Sequence, residues 1–292
     1  MQTAALDICV AALLLLVSVI PGAASHHGAI LHAANLPTSP SISLRTSIPH
    51  WLLSGDGVWP VPKTSFADKE ALSRAVQSGS HSWDASKEDI YYFDTFLAQL
   101  PEQGGFFIEL GGLDGVQYSN SWVLEHVLGW RGMLIEPSPS NFRNLEQNRP
   151  NVIGVNAAVC SNVSQVHFFS RPERQDMNTI VEFASAEFWA AAHPMVDRND
   201  PAVLAKMPTI TCLPLQLILQ FFHIRNVDLL SLDVEGAEFE VVKTLDFKRL
   251  NIKHVVIEAT GLNGPKDEQV RQYMLASGYT LHAHNDWFIK EA

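Results

Sequence analysis

Four acidic residues follow short apolar runs, at points where a parallel sheet would bring them to one edge. Glu109, Glu136, Asp233 and Glu258 each stand at the carboxyl end of a predicted buried strand. Open α/β sheets bind their ligands over these strand ends. Carboxylates placed there can accept hydrogen bonds from hydroxyl groups or take up a proton. We interpret Glu258 as structural, because nothing near it in the sequence completes a site.

A glycine-rich turn follows the first of these acids. The apolar run Phe106–Ile108 leads to Glu109, and Gly111 and Gly115 precede a predicted helix over residues 120–128. The dinucleotide pattern G-x-G-x-x-G fails because position 113 is leucine, and the phosphate-loop pattern fails because no lysine follows the last glycine. The remaining pattern, E-x-G-x-x-x-G, resembles the first motif of class I S-adenosylmethionine-dependent methyltransferases. The alternative is a glycine turn in an ordinary α/β protein.

Strand and helix patterns alternate along residues 86–292. The predicted helices span residues 89–100, 120–128, 141–147, 237–245 and 269–276. The predicted strands span residues 106–110, 132–135, 152–159, 209–212, 228–232 and 255–257, followed by a hairpin of residues 279–282 and 287–290. This alternation predicts an α/β fold with a mostly parallel sheet and helices on both faces. The hairpin predicts one antiparallel strand, as in the seven-stranded, Rossmann-like sheet of class I methyltransferases.

Glu136 is the acid best placed to hold a ribose. It follows Gly115 by 21 residues, near the offset of about 20 at which an acid binds ribose hydroxyls in doubly wound folds. One carboxylate can accept hydrogen bonds from both hydroxyls. The alternative is a solvated acid before the turn at Pro137.

Longer segments carry a more specific resemblance. They are residues 105–115 (GFFIELGGLDG), 118–120 (YSN), 128–139 (LGWRGMLIEPSP), 148–151 (NRPN), 156–160 (NAAVC), 230–238 (LSLDVEGAE) and 285–289 (NDWFI). In this order, over residues 86–290, the chain resembles the FkbM-type methyltransferase family. Residues 171–208 resemble it least, and we expect contacts with the methyl acceptor there.

The resemblance implies S-adenosylmethionine-dependent O-methylation and a set of cofactor residues. Carried over by position, the methionine part of the cofactor would lie against Glu109, Gly111, Gly115, Ser119 and Asn120. The ribose would lie against Glu136, and the adenine would lie against Asn156 and Ala157. The sulfonium would lie near Asp233. A hydroxyl acceptor would benefit from a general base, for which Asp233 and Glu235 are the candidates. The alternative role for both is to cap the helix predicted after Gly236, and Glu238 within that helix is expected to be structural.

The composition of the chain argues against nucleic-acid and metal partners. The chain has 31 acidic and 20 basic residues, a formal net charge of -11, which argues against a nucleic-acid substrate. Twelve histidines and three cysteines show neither H-E-x-x-H nor C-x-x-C, so no metal is predicted.

The N-terminal residues predict entry into the secretory pathway. The apolar run Ile8–Ile20 and the small residues after it predict a signal peptide over residues 1–24, with an uncleaved membrane anchor as the alternative. Residues 25–85 predict a largely irregular linker. Cys160 and Cys212 lie outside the predicted signal and could form a disulfide in an oxidising compartment. Asn162 begins an N-x-S glycosylation triplet.

Two functions are compatible with these patterns. The first is a lumenal or secreted O-methyltransferase that acts on a glycan or another small hydroxylated acceptor. The second is a non-catalytic interaction or trafficking protein with a methyltransferase fold. The intact set of Glu109, Gly111, Gly115, Glu136 and Asp233 favours the enzyme.

Overall fold

The structure, a computed structural model, describes residues 29–32, 43–47, 105–126, 128–171, 173–174, 177–258, 264–282 and 287–290. The predicted signal peptide, the helix predicted over residues 89–100 and most of the predicted linker lie outside these residues. Among the described residues, none of the helices has the length and apolar character needed to span a bilayer.

Strands and helices alternate through most of the described chain. The strands are β1 (Ala29–His32), β2 (Ser43–Ser47), β3 (Phe106–Leu110), β4 (Arg131–Ile135), β5 (Ile153–Asn156), β6 (Ala158–Val159), β7 (Ser164–Phe169), β8 (Thr179–Ile180), β9 (Thr209–Leu213), β10 (Asn226–Leu232), β11 (Asn251–Ile257), β12 (Tyr279–His282) and β13 (Trp287–Lys290). The helices are α1 (Trp122–His126), α2 (Pro139–Asn148), α3 (Ala186–Ala192), α4 (Pro201–Leu204), α5 (Leu215–Phe221), α6 (Glu238–Val242) and α7 (Pro265–Ala276).

Nine of the described strands form one mixed sheet, in the order β1-β2-β5-β4-β3-β10-β11-β13-β12. The strands β5, β4, β3, β10 and β11 are parallel, whereas β2 and β13 run against their neighbours. The α/β class and the mostly parallel sheet are therefore as predicted. The count of seven strands with one antiparallel strand is not confirmed, because β1 and β2 extend the sheet beyond β5. Little periodicity marks these two strands in the sequence, where residues 25–85 were expected to be mainly irregular.

The strands at the centre of the sheet are buried on both faces. Ile108 of β3 belongs to a buried cluster with residues of α5, α6 and α7. Phe107, the preceding residue, points to the opposite face, where the Arg149 guanidinium lies 5.6 Å from its ring centroid. Since successive residues of a strand face opposite sides, helical elements cover both sides of β3. This explains the unbroken apolar runs that predicted buried parallel strands.

A second, four-stranded sheet has the order β6-β9-β7-β8. The sequence predicted one strand over residues 152–159, but the chain leaves the large sheet at Ala157 and continues as β6 beside β9. Cys160, just after β6, forms a disulfide with Cys212 of β9, with a Cα–Cα distance of 5.9 Å. The predicted disulfide is thus present.

Replacing both Cys160 and Cys212 with alanine should lower the free energy of unfolding by about 2–5 kcal/mol, because the bond closes a long loop and restricts the unfolded chain. The two cysteines are 52 residues apart in sequence. Urea unfolding followed by circular dichroism measures the effect. Reductant should destabilise the wild type by a similar amount and leave the variant unchanged; equal midpoints for all samples would contradict a stabilising role.

Candidate functional site

Glu109 stabilises the turn after β3 through hydrogen bonds to its carboxylate. Its carboxylate accepts hydrogen bonds from the Ser119 hydroxyl and the Asn120 backbone N–H, each at 2.9 Å, and from the Ser121 hydroxyl. Burial raises the pKa of Glu109, against the opposing influence of the Arg149 charge and these hydrogen bonds. Glu109 therefore fixes the end of the glycine turn and the start of α1.

Arg149, at the end of α2, is the second support of this turn. Its side chain has no solvent exposure. The guanidinium donates to the Gly115 carbonyl at 2.8 Å and to the Ser119 hydroxyl at 3.2 Å, and its Nε pairs with the carboxylate of Glu125. A buried charge is tolerated only when it is paired and hydrogen-bonded. Sequence reasoning missed this residue, because its partners lie 24 or more positions earlier in the chain.

The two glycines of the predicted motif, Gly111 and Gly115, have different structural roles. Gly111 has φ +83°, and a Cβ there would lie 1.9 Å from the Asp233 carbonyl oxygen. This position must be glycine for the turn to lie against the end of β10. Gly115 has φ +82°, and a Cβ there would meet the Arg149 side chain at 2.7 Å. Gly115 thus makes room for arginine rather than for a ligand.

Glu136 follows β4 and faces a cavity. Its Oε2 accepts from the Leu113 backbone N–H at 2.9 Å and its Oε1 accepts from the Ser138 N–H at 2.8 Å. Burial raises the pKa of Glu136 to about 8, although these two hydrogen bonds favour the ionised form. Asn156 supports this strand end, since its Nδ2 donates to the carbonyl of Glu136 at 2.8 Å.

The cavity has a volume of about 390 Å³ and lies over the carboxyl ends of β3, β4, β10 and β11. It is lined by five of the predicted site residues, Gly111, Glu136, Ala157, Asp233 and Glu235. The other predicted site residues, Glu109, Gly115, Ser119, Asn120 and Asn156, are not among its lining residues. Most of these hold the lining residues in place through the contacts described above.

Three carboxylates converge on one side of the cavity. One oxygen from each of Asp233, Glu235 and Glu258 lies within 4.8 Å of the others. The register explains why: Leu232 of β10 pairs with Ile257 of β11, so the acids that follow the two strands are neighbours. Glu258, interpreted from sequence as structural, lines the cavity. Its position at a fourth strand end was the signal that could have found it.

The cluster of Asp233, Glu235 and Glu258 could hold a divalent cation or accept a proton. The sequence prediction of no metal rested on local motifs, and these three residues are spread over 26 positions of the chain. That prediction stays a prediction.

The turn that carries Glu235 is fixed by three side chains. Glu235 and Gly236 have φ +52° and +101°, and the Thr179 hydroxyl donates to the Glu235 carbonyl at 3.0 Å. The Glu238 carboxylate accepts from the N–H groups of Val234 and Gly236 at 3.2 and 3.1 Å, which agrees with the structural role expected for it. Lys266 Nζ donates to the Gly236 carbonyl at 3.1 Å and also to the carbonyl of Phe183. These hydrogen bonds therefore hold the turn that carries Glu235 in one conformation.

Comparison with known proteins assigns this chain to a family. A model of the methyltransferase FkbM domain matches residues 109–281, more than half of the 292 residues. The chain belongs to the FkbM methyltransferase family. The resemblance seen in the sequence motifs is thereby confirmed, and membership supports an S-adenosylmethionine-dependent methyltransferase.

Similar solved structures include two methyltransferases. Precorrin-6y C5,15-methyltransferase from Geobacter metallireducens is 14% identical, with a TM-score of 0.34 over 68% of this chain and 85% of that one. A TehB-like SAM-dependent methyltransferase from Corynebacterium glutamicum is 10% identical, with a TM-score of 0.36 over 77% of this chain and 97% of that one. A search of curated protein sequences gave no match.

In this FkbM-family chain, Arg149→Met should lower the free energy of unfolding by about 3–5 kcal/mol, because it leaves the buried Glu125 carboxylate without its partner. Urea unfolding measures the loss. Arg143→Met is a matched control, since Arg143 is exposed on the same helix, and should change stability by no more than about 0.5 kcal/mol. Adding Glu125→Gln to Arg149→Met should recover part of the loss. Equal effects at positions 149 and 143 would show that the buried pair does not hold the turn.

Proposed function

We propose that this chain is an S-adenosylmethionine-dependent O-methyltransferase of the secretory pathway that acts on a hydroxyl group of a glycan or another small acceptor. The observation that carries the proposal is one cavity lined by two chemically different groups of residues. Gly111, Glu136 and Ala157 form the first group, and the carboxylates of Asp233, Glu235 and Glu258 form the second. The first group suits a nucleoside, and the second suits a hydroxyl group that must lose its proton.

The residues present fit the methyl donor of the family. Each carboxylate oxygen of Glu136 accepts one backbone N–H, which leaves each oxygen able to accept a ribose hydroxyl as well. The cavity volume of about 390 Å³ lies in the range of small-molecule sites.

In this proposal, Asp233 of the three clustered carboxylates is the general base. When bound, S-adenosylmethionine supplies an electrophilic methyl group on its sulfonium. Asp233 follows β10 directly, and its N–H donates to the Leu110 carbonyl of β3 at 3.2 Å, which fixes its carboxylate beside the glycine turn. Asp233 would take the hydroxyl proton of the acceptor, with Glu235 or Glu258 orienting that hydroxyl. Alignment of the reacting atoms is the main requirement of in-line transfer.

The far wall of the cavity favours a hydroxylated acceptor with an apolar face. Phe168, Met177 and Ile180 contribute apolar surface, and Asn178 lines the same wall. The Nδ2 of Asn178 is buried without a hydrogen-bond partner within the described residues. A ligand oxygen would satisfy that donor. This wall comes from Phe168 and residues 177–180. Residues 177–180 fall within the least family-like part of the sequence, so the acceptor is the feature expected to be specific to this chain.

Calorimetric titration of the full chain with S-adenosylhomocysteine tests the proposal, followed by transfer of a tritium-labelled methyl group from S-adenosylmethionine to a panel of methyl glycosides. Binding together with labelling of a glycoside hydroxyl is the expected result. Folded protein that binds neither S-adenosylhomocysteine nor S-adenosylmethionine would instead support a non-catalytic interaction protein with this fold.

Affinity for 5′-methylthioadenosine should rise with pH up to about pH 8, where the free Glu136 carboxyl ionises. Ribose hydroxyls donate to the ionised carboxylate, so binding releases a proton and is favoured by high pH, by at most about tenfold per pH unit below the pKa. This probe has no group of its own that titrates near neutrality. Calorimetry from pH 6 to 9 measures the slope. Glu136→Gln should bind weakly at every pH, while the exposed Glu268→Gln should behave as wild type; a flat wild-type profile would argue against ribose binding by Glu136.

Asp233→Asn should reduce methyl transfer by about 10²-fold or more, the usual contribution of a general base, with S-adenosylhomocysteine binding largely kept. Asparagine keeps the size and one acceptor oxygen of aspartate but cannot take the proton. The assay is the tritium transfer above, using a glycoside that the wild type methylates. Glu235→Gln and Glu258→Gln should have smaller effects. Near-normal turnover of Asp233→Asn, with a large loss in Glu235→Gln, would assign the base to Glu235.

A further inference from the structure

One exposed turn carries a sequence triplet that methyl transfer does not use. Asn162 and Val163 lie in the connection between β6 and β7, and Ser164 is the first residue of β7. In the full sequence of 292 residues this is the one N-x-S/T triplet with a residue other than proline in the middle. Such a triplet is an acceptor for an Asn-linked glycan when it lies at the surface of a secreted protein.

The structure puts this triplet at the surface. Asn162 is exposed, and Val163 is 40% exposed. The Asn162 carboxamide donates to the neighbouring Ser161 hydroxyl at 3.3 Å, and the Ser164 hydroxyl donates to the Asn162 carbonyl at 3.3 Å. These contacts are local, so a bulky group on Asn162 would not disrupt packing between elements. Asn162 is also not among the residues that line the cavity, so a glycan there leaves the candidate site free.

The neighbouring disulfide points to the compartment in which such a glycan is added. Cys160, two positions before Asn162, is bonded to Cys212. Disulfides persist in oxidising compartments such as the lumen of the endoplasmic reticulum. The bond is a different observation from the triplet, and it indicates the same environment. The apolar run Ile8–Ile20 provides a route into it.

We propose that Asn162 carries an N-linked glycan. The donor is an oligosaccharide linked to a lipid through pyrophosphate, and the partner is a lumenal oligosaccharide-transferring enzyme. The Nδ2 of Asn162 forms a bond to C1 of the first sugar and loses a proton, while the bond between C1 and the pyrophosphate oxygen breaks and the lipid pyrophosphate leaves. No oxidation or reduction occurs. The attached glycan covers the apolar side chain of Val163 with a hydrophilic, solubilising group.

Expression of the full chain in a eukaryotic secretory cell tests the proposal. The purified protein is treated with peptide-N-glycosidase in ¹⁸O-labelled water, and the peptide containing position 162 is analysed by mass spectrometry. The expected result is conversion of Asn162 to aspartate carrying the heavy oxygen, with faster gel migration after treatment. Asn162→Gln and Ser164→Ala should abolish both changes, and Ser164→Thr should keep them.

Asn199→Gln serves as the matched control, because Asn199 is exposed but begins no such triplet, and it should retain the glycan. An unmodified Asn162 in the full chain, with or without the Cys160–Cys212 bond, overturns the proposal. Persistence of the gel shift in Asn162→Gln would also overturn it. Neither result bears on methyl transfer, since binding of S-adenosylhomocysteine is measured separately on the same preparations.

Discussion

The buried guanidinium of Arg149 is the interaction on which the candidate site most depends. It lies under the glycine turn without solvent exposure and joins the Gly115 carbonyl, the Ser119 hydroxyl and the Glu125 carboxylate. Glu109 approaches the same group of hydroxyls from β3. Two buried acids and one buried base therefore fix the turn. A polar network of this kind specifies one arrangement, because any other leaves charged groups unpaired in the interior.

Strand register then determines which acids meet. Parallel pairing of β3 with β10 and of β10 with β11 brings three strand ends to one edge, and the residues just beyond β10 and β11 are Asp233 and Glu258. Close packing holds the glycine turn against this edge, since Gly111 lies directly on the Asp233 carbonyl. Chemistry at this edge thus follows from topology, which is why unrelated functions on open α/β sheets share the same location. What the cavity binds depends on its side chains, and here they combine the carboxylates of Glu136, Asp233, Glu235 and Glu258 with the amide of Asn178 and an apolar wall.

Patterns local in sequence were predictable, and contacts between distant segments were not. The apolar runs predicted β3, β4, β10 and β11, because strands buried on both faces need continuous apolar residues. Arg149 was assigned no role from the sequence, since nothing near it shows that Glu125 lies opposite. Glu258 looked isolated until β11 was paired with β10. The predicted helix over residues 237–245 is shorter in the structure, where α6 spans Glu238–Val242. Beyond α6, the N–H groups of Thr244 and Leu245 donate three residues back, to Val241 and Val242, which is a tighter turn than that of an α-helix.

The small sheet gives the cavity its far wall, and two connections join that wall to the turn that carries Glu235. Lys266 donates to carbonyls on both sides, those of Gly236 and Phe183, and Thr179 donates to the Glu235 carbonyl. Burial lowers the pKa of Lys266, while the Glu238 charge favours its protonated form. Any shift of the wall must therefore also move the turn that carries Glu235. Because the two are coupled in this way, we expect the shape of the wall to be altered by substitutions within it rather than by a movement of it past the carboxylates.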